Sequence, residues 1–205
     1  LLTAGNSIKF LIMKKKLFID LFAGCGGIAK GFCDAGMECA AANEFDEKAA
    51  ITYRSNFNHP LVVGDITLSE VKQILYDLVG DKNVDVVVGG FPCQGFSMSG
   101  KRLVDDPRNQ LFREFVEVVK VSKPKIVVGE NVEGILSMAN GEVVKQIIEE
   151  FSNLGYKMEY KVLNAADYGV PQLRKRVIFI GNRIGVENIF PEPILTPENY
   201  KTVKD

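Results

Sequence analysis

The sequence has few of the residues that build metal centres and disulfide frameworks. It contains one histidine, His59, and four cysteines, Cys25, Cys33, Cys39 and Cys93, none of them spaced as a CxxC pair. This argues against a zinc site, and any Cys–His catalytic pair would depend on His59 alone. Reduced thiols in a cytosolic protein are the simplest interpretation, so we expect a cytoplasmic location.

The chain also lacks a strong charge of either sign and any long apolar run. Its formal net charge is −1 over 205 residues, so a DNA-binding surface would have to be a local basic patch. No apolar run is long enough to cross a membrane, and we expect no signal peptide. There is no internal repeat, and a composition of 46% hydrophobic and 25% charged residues is typical of one globular domain.

Strand-like and helical segments alternate along most of the chain. The predicted strands are 17–21, 37–42, 61–63, 84–88, 126–128, 156–163 and 177–181. The predicted helices are 28–35, 47–56, 68–78, 111–121 and 143–154. This order predicts an α/β protein with a doubly wound, mostly parallel sheet. We expect residues 1–12 to be a leader, 13–190 the domain, and 191–205 a tail or the start of a linker.

A glycine-rich turn after the first strand is typical of a nucleotide site. It contains Gly24 and Gly26 and opens a helix, whose amino terminus offers free N–H groups. Glu44 follows about twenty residues later, where an acidic residue can bind two ribose hydroxyls, and Phe45 can cover an adenine face. Gly24, Gly26 and Ala29 also fit the NAD fingerprint. The segment alone therefore leaves a methyltransferase, a dehydrogenase and a plain tight turn open.

Asp65 lies at the end of the third predicted strand and is followed by Ile66. Its carboxylate could accept a hydrogen bond from an exocyclic amine such as that of adenine. Taken alone, it is equally well a helix N-cap or a turn aspartate.

Residues 89–97 hold the candidate nucleophile. Two glycines allow close approach of the backbone to a ligand, Pro92 fixes φ, and Cys93 follows at the carboxyl end of the fourth strand. Open α/β sheets place their chemistry at this edge. The alternative is a buried structural thiol.

A long aperiodic loop, residues 94–109, follows the cysteine. Lys101, Arg102 and Arg108 make it basic, so it could close over a phosphate backbone. The alternative is an ordinary solvated loop.

Two further polar segments reach the same predicted edge. Glu130 directly follows an apolar strand, where partial desolvation favours the protonated form and suits a proton donor to a ring nitrogen. A structural carboxylate–arginine pair is the alternative. Gln172, Arg174 and Arg176 would point to one side if their segment is extended, and could meet Glu130, a base edge and a phosphate. They could also be surface charges.

Together these segments resemble the C5-cytosine DNA methyltransferases from Leu17 to Gly181. The matching motifs, in the family's order, are Asp20 to Gly27, Asn43 to Asp46, Gly64 to Ile66, Gly90 to Gln94, Glu130 to Val132, and Gln172-x-Arg174-x-Arg176. A dehydrogenase gives no role to Pro92-Cys93, to Glu130-Asn131 or to the Gln-Arg-Arg run.

The resemblance implies a Rossmann-like fold and methyl transfer from S-adenosylmethionine to C5 of a cytosine flipped out of double-stranded DNA. Catalysis would use a Cys93 thiolate adding to C6, Glu130 at N3, and Arg174 at O2 and the phosphate side. The residues implied in cofactor binding are Asp20, Phe22, Gly24, Gly26, Glu44, Phe45, Asp65, Ile66 and Pro92. Those implied on the DNA side are Gln94, Ser97, Lys101, Arg102 and Arg176, with Arg176 expected to orient Glu130 rather than to touch substrate.

Members of the family usually continue into a target-recognition region and two further motifs. We therefore expect either a truncated enzyme or the first subunit of a split one, from a microbial restriction-modification system, with a second chain as a possible partner. Gly5-Asn6-Ser7-Ile8 resembles the family's last motif, which a circular permutation or chance would explain. An RNA cytosine methyltransferase and an inactive regulatory subunit are the alternative functions.

Overall fold

A computed structural model describes residues 15–92 and 110–204. In these residues seven strands form one sheet, which confirms the predicted α/β class. The strands are β1 (Leu17–Leu21), β2 (Glu38–Glu44), β3 (Leu61–Val63), β4 (Val86–Gly89), β5 (Ile126–Val132), β6 (Lys157–Asn164) and β7 (Lys175–Asn182). The helices are α1 (Gly27–Asp34), α2 (Glu47–Asn56), α3 (Ser69–Val79), α4 (Gln110–Ser122) and α5 (Glu142–Asn153).

The strand order of the sheet is β3-β2-β1-β4-β5-β7-β6. Pairing is parallel from β3 through β5, and only β7 runs antiparallel, to both β5 and β6. The carboxyl ends of β1 to β5 therefore meet at one edge. The chain order reverses between β1 and β4, which is where open α/β sheets form their ligand crevice.

Burial on both faces explains why the central strands are almost continuously apolar. All five residues of β1 are buried, as parallel strands covered on both sides require. One face packs against a cluster that includes Phe112, Phe115 and Phe151, and the other against a smaller one that includes Phe18 and Tyr53. The core thus holds the functional edge on a rigid base.

Two local predictions were wrong. β5 continues to Val132, past the predicted end at 128, because it pairs with β7 up to Val132 opposite Arg176. Glu130 therefore lies inside a strand rather than after one. β7 begins at Lys175, before the predicted start at 177, so Arg176 lies within the strand while Gln172 and Arg174 precede it.

The described residues contain neither a membrane-spanning helix nor a cluster of metal ligands. No helix there is long and apolar enough to cross a membrane. No group of three or more His, Cys, Asp or Glu side chains there could hold a metal ion.

Gly89 offers a test of the close packing at the functional edge. A Cβ at this position would lie 2.7 Å from the Leu21 carbonyl oxygen and 3.1 Å from a ring carbon of Phe115. We expect Gly89→Ala to lower the free energy of unfolding by about 1–3 kcal/mol, because backbone oxygen cannot move aside cheaply. Urea denaturation measures this.

The control is Gly31→Ala in α1, where a Cβ would meet nothing within 4 Å. We expect it to be neutral, or to stabilise by about 0.5–1 kcal/mol through helix propensity. Equal destabilisation by the two variants would contradict the packing argument.

Candidate active site

A cavity of about 450 Å³ opens at the carboxyl ends of β1, β2 and β3. We call it the β1–β3 cavity. Its lining residues are Phe22, Asn43, Glu44, Phe45, Asp65, Ile66, Thr67, Pro92, Gln110 and Leu111. Six of the residues expected at the cofactor therefore share one concave surface. Phe45 is 70% exposed, so a flat aromatic face is free to cover a bound ring.

Glu44 connects the glycine turn to the end of β2. Its Oε2 accepts a hydrogen bond from the Gly24 N–H at 2.6 Å, and its Oε1 accepts one from the Asp46 N–H at 2.7 Å. The side chain is nearly buried. A fixed carboxylate is thus held at the cavity wall, where a hydroxyl donor can reach it.

The glycine turn needs glycine for both conformational and steric reasons. Phe22, Gly24 and Gly26 all have positive φ, at 57°, 56° and 92°. A Cβ on Gly26 would lie 2.3 Å from a ring carbon of Phe57. Positive φ at the bulky Phe22 is a strained conformation of the kind that clusters at ligand sites.

Asp65 fits both of its sequence interpretations. Its Oδ1 accepts a hydrogen bond from the Thr67 N–H at 2.9 Å, as a turn aspartate does. It also lines the β1–β3 cavity. A turn role and a ligand role are therefore compatible in this side chain.

A second cavity, of about 580 Å³, lies at the ends of β4 and β5. We call it the β4–β5 cavity. Its lining residues are Gly90, Phe91, Pro92, Glu130, Asn131, Val132, Gly134 and Met138. Pro92 lines both cavities. A Cβ on Gly90 would lie 3.2 Å from the Glu130 Oε2, so the glycine lets that carboxylate approach the backbone closely.

Glu130 is paired with Arg176 across β5 and β7. The Arg176 Nε lies 2.7 Å from the Glu130 Oε1, and both side chains are about a quarter exposed. The arginine also donates from Nη1 to the Lys175 carbonyl oxygen at 2.7 Å. The pair orients the carboxylate, which is the position expected of Arg176, although its role in a reaction stays a prediction.

Asn131 ties the chain that leaves β4 to the end of β5. Its Nδ2 donates to the Phe91 carbonyl oxygen at 2.8 Å, and its Oδ1 accepts from the Val132 N–H at 2.9 Å. The side chain is buried, so losing this bond would leave a costly unpaired group.

Comparison with known proteins identifies this arrangement. A family model for C-5 cytosine-specific DNA methylases matches residues 17–205. The chain belongs to the C-5 cytosine-specific DNA methylase family. Its fold is that of a Rossmann-like S-adenosylmethionine-dependent methyltransferase, as the resemblance implied.

Several Type II methyltransferases are close in sequence to this family member. M1.HphI of Haemophilus parahaemolyticus is 47% identical over 96% of this chain and 54% of its own length. M.DdeI of Desulfomicrobium norvegicum is 49% identical over 87% of this chain and 43% of its own length. M.AquIA of Picosynechococcus sp. is 42% identical over 94% of this chain and 88% of its own length. The chain thus spans about half the length of most of these relatives.

Solved structures agree with the assignment to the methylase family. A protein described as a DNA modification methyltransferase encoded within an E. coli prophage has a TM-score of 0.67 and 33% identity, over 82% of this chain and 47% of its own. The S. pombe Dnmt2 methyltransferase has a TM-score of 0.66 over 85% of this chain and 52% of its own; at 19% identity it supports the fold alone.

Arg174 of this methylase lies apart from Glu130. Its side chain is exposed, and its main-chain N–H donates to the Asn164 Oδ1 at 3.1 Å. It lines a third, basic hollow of about 510 Å³ with Glu133, Asn164, Gln172, Leu173, Lys175 and Arg176. Of these two arginines, Arg176 is the one that forms an ion pair with the Glu130 carboxylate, so the expected placement of Arg174 at the reacting ring stays a prediction.

Asp20 lines neither cavity of the methylase site. The side chain is fully buried, and among the described residues neither carboxylate oxygen has a partner at full hydrogen-bond geometry, the Ala29 N–H being a weaker contact. It shares the strand face of Phe18, beneath α1. Burial raises the pKa of Asp20 to about 7, with a smaller contribution from the charge of Glu44, and the Ala29 N–H offsets this only in part. The direct cofactor contact expected of Asp20 is therefore not seen.

Other expected residues lie outside the described residues. They are Cys93, Gln94, Ser97, Lys101 and Arg102, and the segment Gly5 to Ile8. Pro92 is the last described residue before this gap and is bonded directly to Cys93. The candidate nucleophile is thus bonded to a residue that lines both cavities.

Sequence reasoning missed two buried amides at this methylase's strand ends, Asn43 and Asn131. Each lies beside a glutamate that lines a cavity, at the end of an apolar strand. The available signal was a polar side chain at a strand position where an apolar one is expected. A buried amide needs hydrogen-bond partners, so such a residue predicts a structural contact.

Asp20 gives a prediction about pH. Because its pKa rises from 3.8 to about 7 on folding, its contribution to stability is fully present below about pH 4 and is lost as pH rises through 7. Asp20→Asn cannot ionise. We therefore expect the wild type, but not Asp20→Asn, to lose stability as pH rises from about 4 to 7. The difference in their free energies of unfolding should shift in favour of the variant by a few kcal/mol at most.

Urea denaturation from acid to neutral pH measures the difference. Asp34→Asn, which removes an exposed carboxylate from α1, is the control for losing one charge. Parallel wild-type and Asp20→Asn curves across this range would contradict the argument.

Proposed function

We propose that this chain is the cofactor-binding and catalytic part of an enzyme that methylates C5 of cytosine in DNA, within a restriction-modification system. One observation carries the proposal: the β1–β3 and β4–β5 cavities share Pro92 as a wall, directly before Cys93. A methyl donor and a methyl acceptor would thus meet beside the nucleophile. The similarity to proteins named as Type II methyltransferases supports this reaction.

The residues of the β1–β3 cavity fit S-adenosylmethionine. Glu44 has the fixed carboxylate that a ribose diol needs, and Asp65 can accept from the adenine amine. Phe45 and Ile66 supply the apolar faces for the ring. When bound, the cofactor supplies an electrophilic methyl group on a sulfonium leaving group.

The β4–β5 cavity suits a flipped pyrimidine, since C5 and C6 of a stacked base cannot be reached. The Cys93 thiolate adds to C6, and Glu130, held by Arg176, supports N3 as electron density moves into the ring. With S-adenosylmethionine bound, C5 would accept the methyl group as the sulfur–methyl bond breaks and its electron pair stays on the sulfur. Loss of the C5 proton to a base, and departure of the Cys93 sulfur from C6, restore the aromatic ring. The attacker must be a thiolate because C6 is a weak electrophile.

The DNA backbone is assigned to the basic hollow around Arg174. Gln172, Arg174, Lys175 and Arg176 line it, and Lys175 lies 3.9 Å from Glu133. An exposed guanidinium and ammonium at the mouth of a base cavity can bind phosphate oxygens. Since the net charge is −1, such local groups must provide the attraction.

Trapping on 5-fluorocytosine tests the covalent step, because fluorine at C5 cannot leave as a proton does. With S-adenosylmethionine and a duplex containing 5-fluorocytosine, we expect a denaturation-stable adduct. Cys93→Ala should abolish it, whereas Cys33→Ala, which alters a thiol beside His59, should retain it. Gel electrophoresis measures the adduct, with the chain alone and with a candidate second chain that supplies target recognition.

No adduct in either setting would contradict the proposal, as would equal adduct from Cys93→Ala. Replacing the duplex by tRNA in the same assay tests the RNA alternative.

The ion pair gives a second prediction. Arg176→Ala leaves Glu130 without its partner, so we expect kcat to fall about 10- to 100-fold with little change in the KM for S-adenosylmethionine. Arg183→Ala is the matched control, because that guanidinium lies beyond the other end of β7, over the Tyr156 ring. Equal kcat values for the two variants would mean that the ion pair plays no part in the reaction.

A further inference from the structure

Asn43 is a buried amide that joins three walls of the β1–β3 cavity. Its Nδ2 donates to the Val62 carbonyl oxygen at 3.2 Å and to the Gly64 carbonyl oxygen at 3.1 Å. The main-chain carbonyl oxygen of the same residue accepts from the Ala23 N–H at 3.0 Å. The residue is only 1% exposed and also lines the cavity.

The wall that carries Asp65 needs this support. β3 has three residues and lies at the edge of the sheet, so it forms few ladder hydrogen bonds. Gly64, which follows it, has a φ of 149° that other residues avoid. Apart from the Asn43 amide, a bond from the Gly64 N–H to the Glu44 carbonyl oxygen at 2.9 Å connects this turn to β2.

We infer that Asn43 is a positioning residue that sets the separation of Glu44 and Asp65, and thereby the fit of the cofactor's nucleoside half. The inference rests on the proposed function, which identifies that ligand. The amide holds the Gly64 carbonyl on one side while Glu44, its neighbour in β2, holds the glycine turn on the other. Both acidic groups are thus placed from adjacent residues of one strand.

Asn182 provides a matched control for a purely structural amide. It is 3% exposed, and its Nδ2 donates to the Val186 carbonyl oxygen and to the Asn188 Oδ1, both at 2.8 Å. It ends β7 at the edge of the sheet opposite the cavities, because β7 runs antiparallel to β5. Truncating Asn43 removes two side-chain hydrogen bonds and truncating Asn182 removes four, so the control loses at least as much structural support.

The experiment compares Asn43→Ala and Asn182→Ala in thermal unfolding and in calorimetric titration with S-adenosylhomocysteine and with adenosine. Both variants should lower Tm. Asn43→Ala should raise the Kd of both ligands about tenfold or more, by similar factors, because the nucleoside contacts are affected. Asn182→Ala should leave both Kd values within about twofold. Asn43→Ser, which keeps one donor, should fall between wild type and Asn43→Ala.

Each contrary outcome has a distinct meaning. Unchanged Kd values in both Asn43 variants, or an equal rise in Asn182→Ala, would overturn the positioning role while leaving the proposed function intact. If Asn43→Ala does not fold, the Asn43→Ser Kd values decide. A wild-type chain that binds neither ligand would overturn the proposed function and the inference with it.

Discussion

The hydrogen bond from Asn131 Nδ2 to the Phe91 carbonyl oxygen is the constraint on which the site depends. It joins the chain that leaves β4 to the end of β5 across 40 residues of sequence. Because Pro92 follows Phe91, the bond also fixes the wall shared by the two cavities. Glu130 precedes Asn131 on β5, so the same amide positions Pro92, the residue before Cys93, relative to the Glu130 carboxylate. The ends of β4 and β5 are thereby held in one geometry.

Three acidic side chains near this edge differ in the partners of their carboxylates. Glu44 is held by two main-chain N–H groups, and Glu130 is held by a guanidinium. Asp20 has neither kind of partner at full hydrogen-bond geometry, and burial raises its pKa to about 7. Glu44 and Glu130, which line cavities, are therefore oriented by donors, whereas Asp20 lies behind them in an apolar layer. Orientation by fixed donors is what binding a polar ligand requires.

Much of this arrangement could be predicted from sequence because it is local. Apolar runs located all seven strands, and the polar residues after them identified Glu44, Phe45 and Asp65, which do line one cavity. The end of β5 could not be predicted from the residues around it, because its last residues become part of the strand by pairing with β7. The pairing of Arg176 with Glu130 was expected from the family resemblance rather than from the local pattern, and the structure shows it.

The roles of the buried amides were equally out of reach. Asn43 bonds to carbonyls 19 and 21 residues away, and Asn131 to one 40 residues away. The residues on either side of these two asparagines do not indicate which carbonyl groups they bond to. The burial of Asp20 was also not evident from its motif, because it depends on which face of β1 the side chain occupies.

The most direct test of the account is a crystal structure of the chain with S-adenosylhomocysteine. The account predicts the adenine between Phe45 and Ile66, the ribose hydroxyls on Glu44, and the thioether sulfur facing Pro92 and the β4–β5 cavity. A nucleoside bound elsewhere, or a sulfur directed away from Pro92, would contradict the claim that the two cavities form one reaction site.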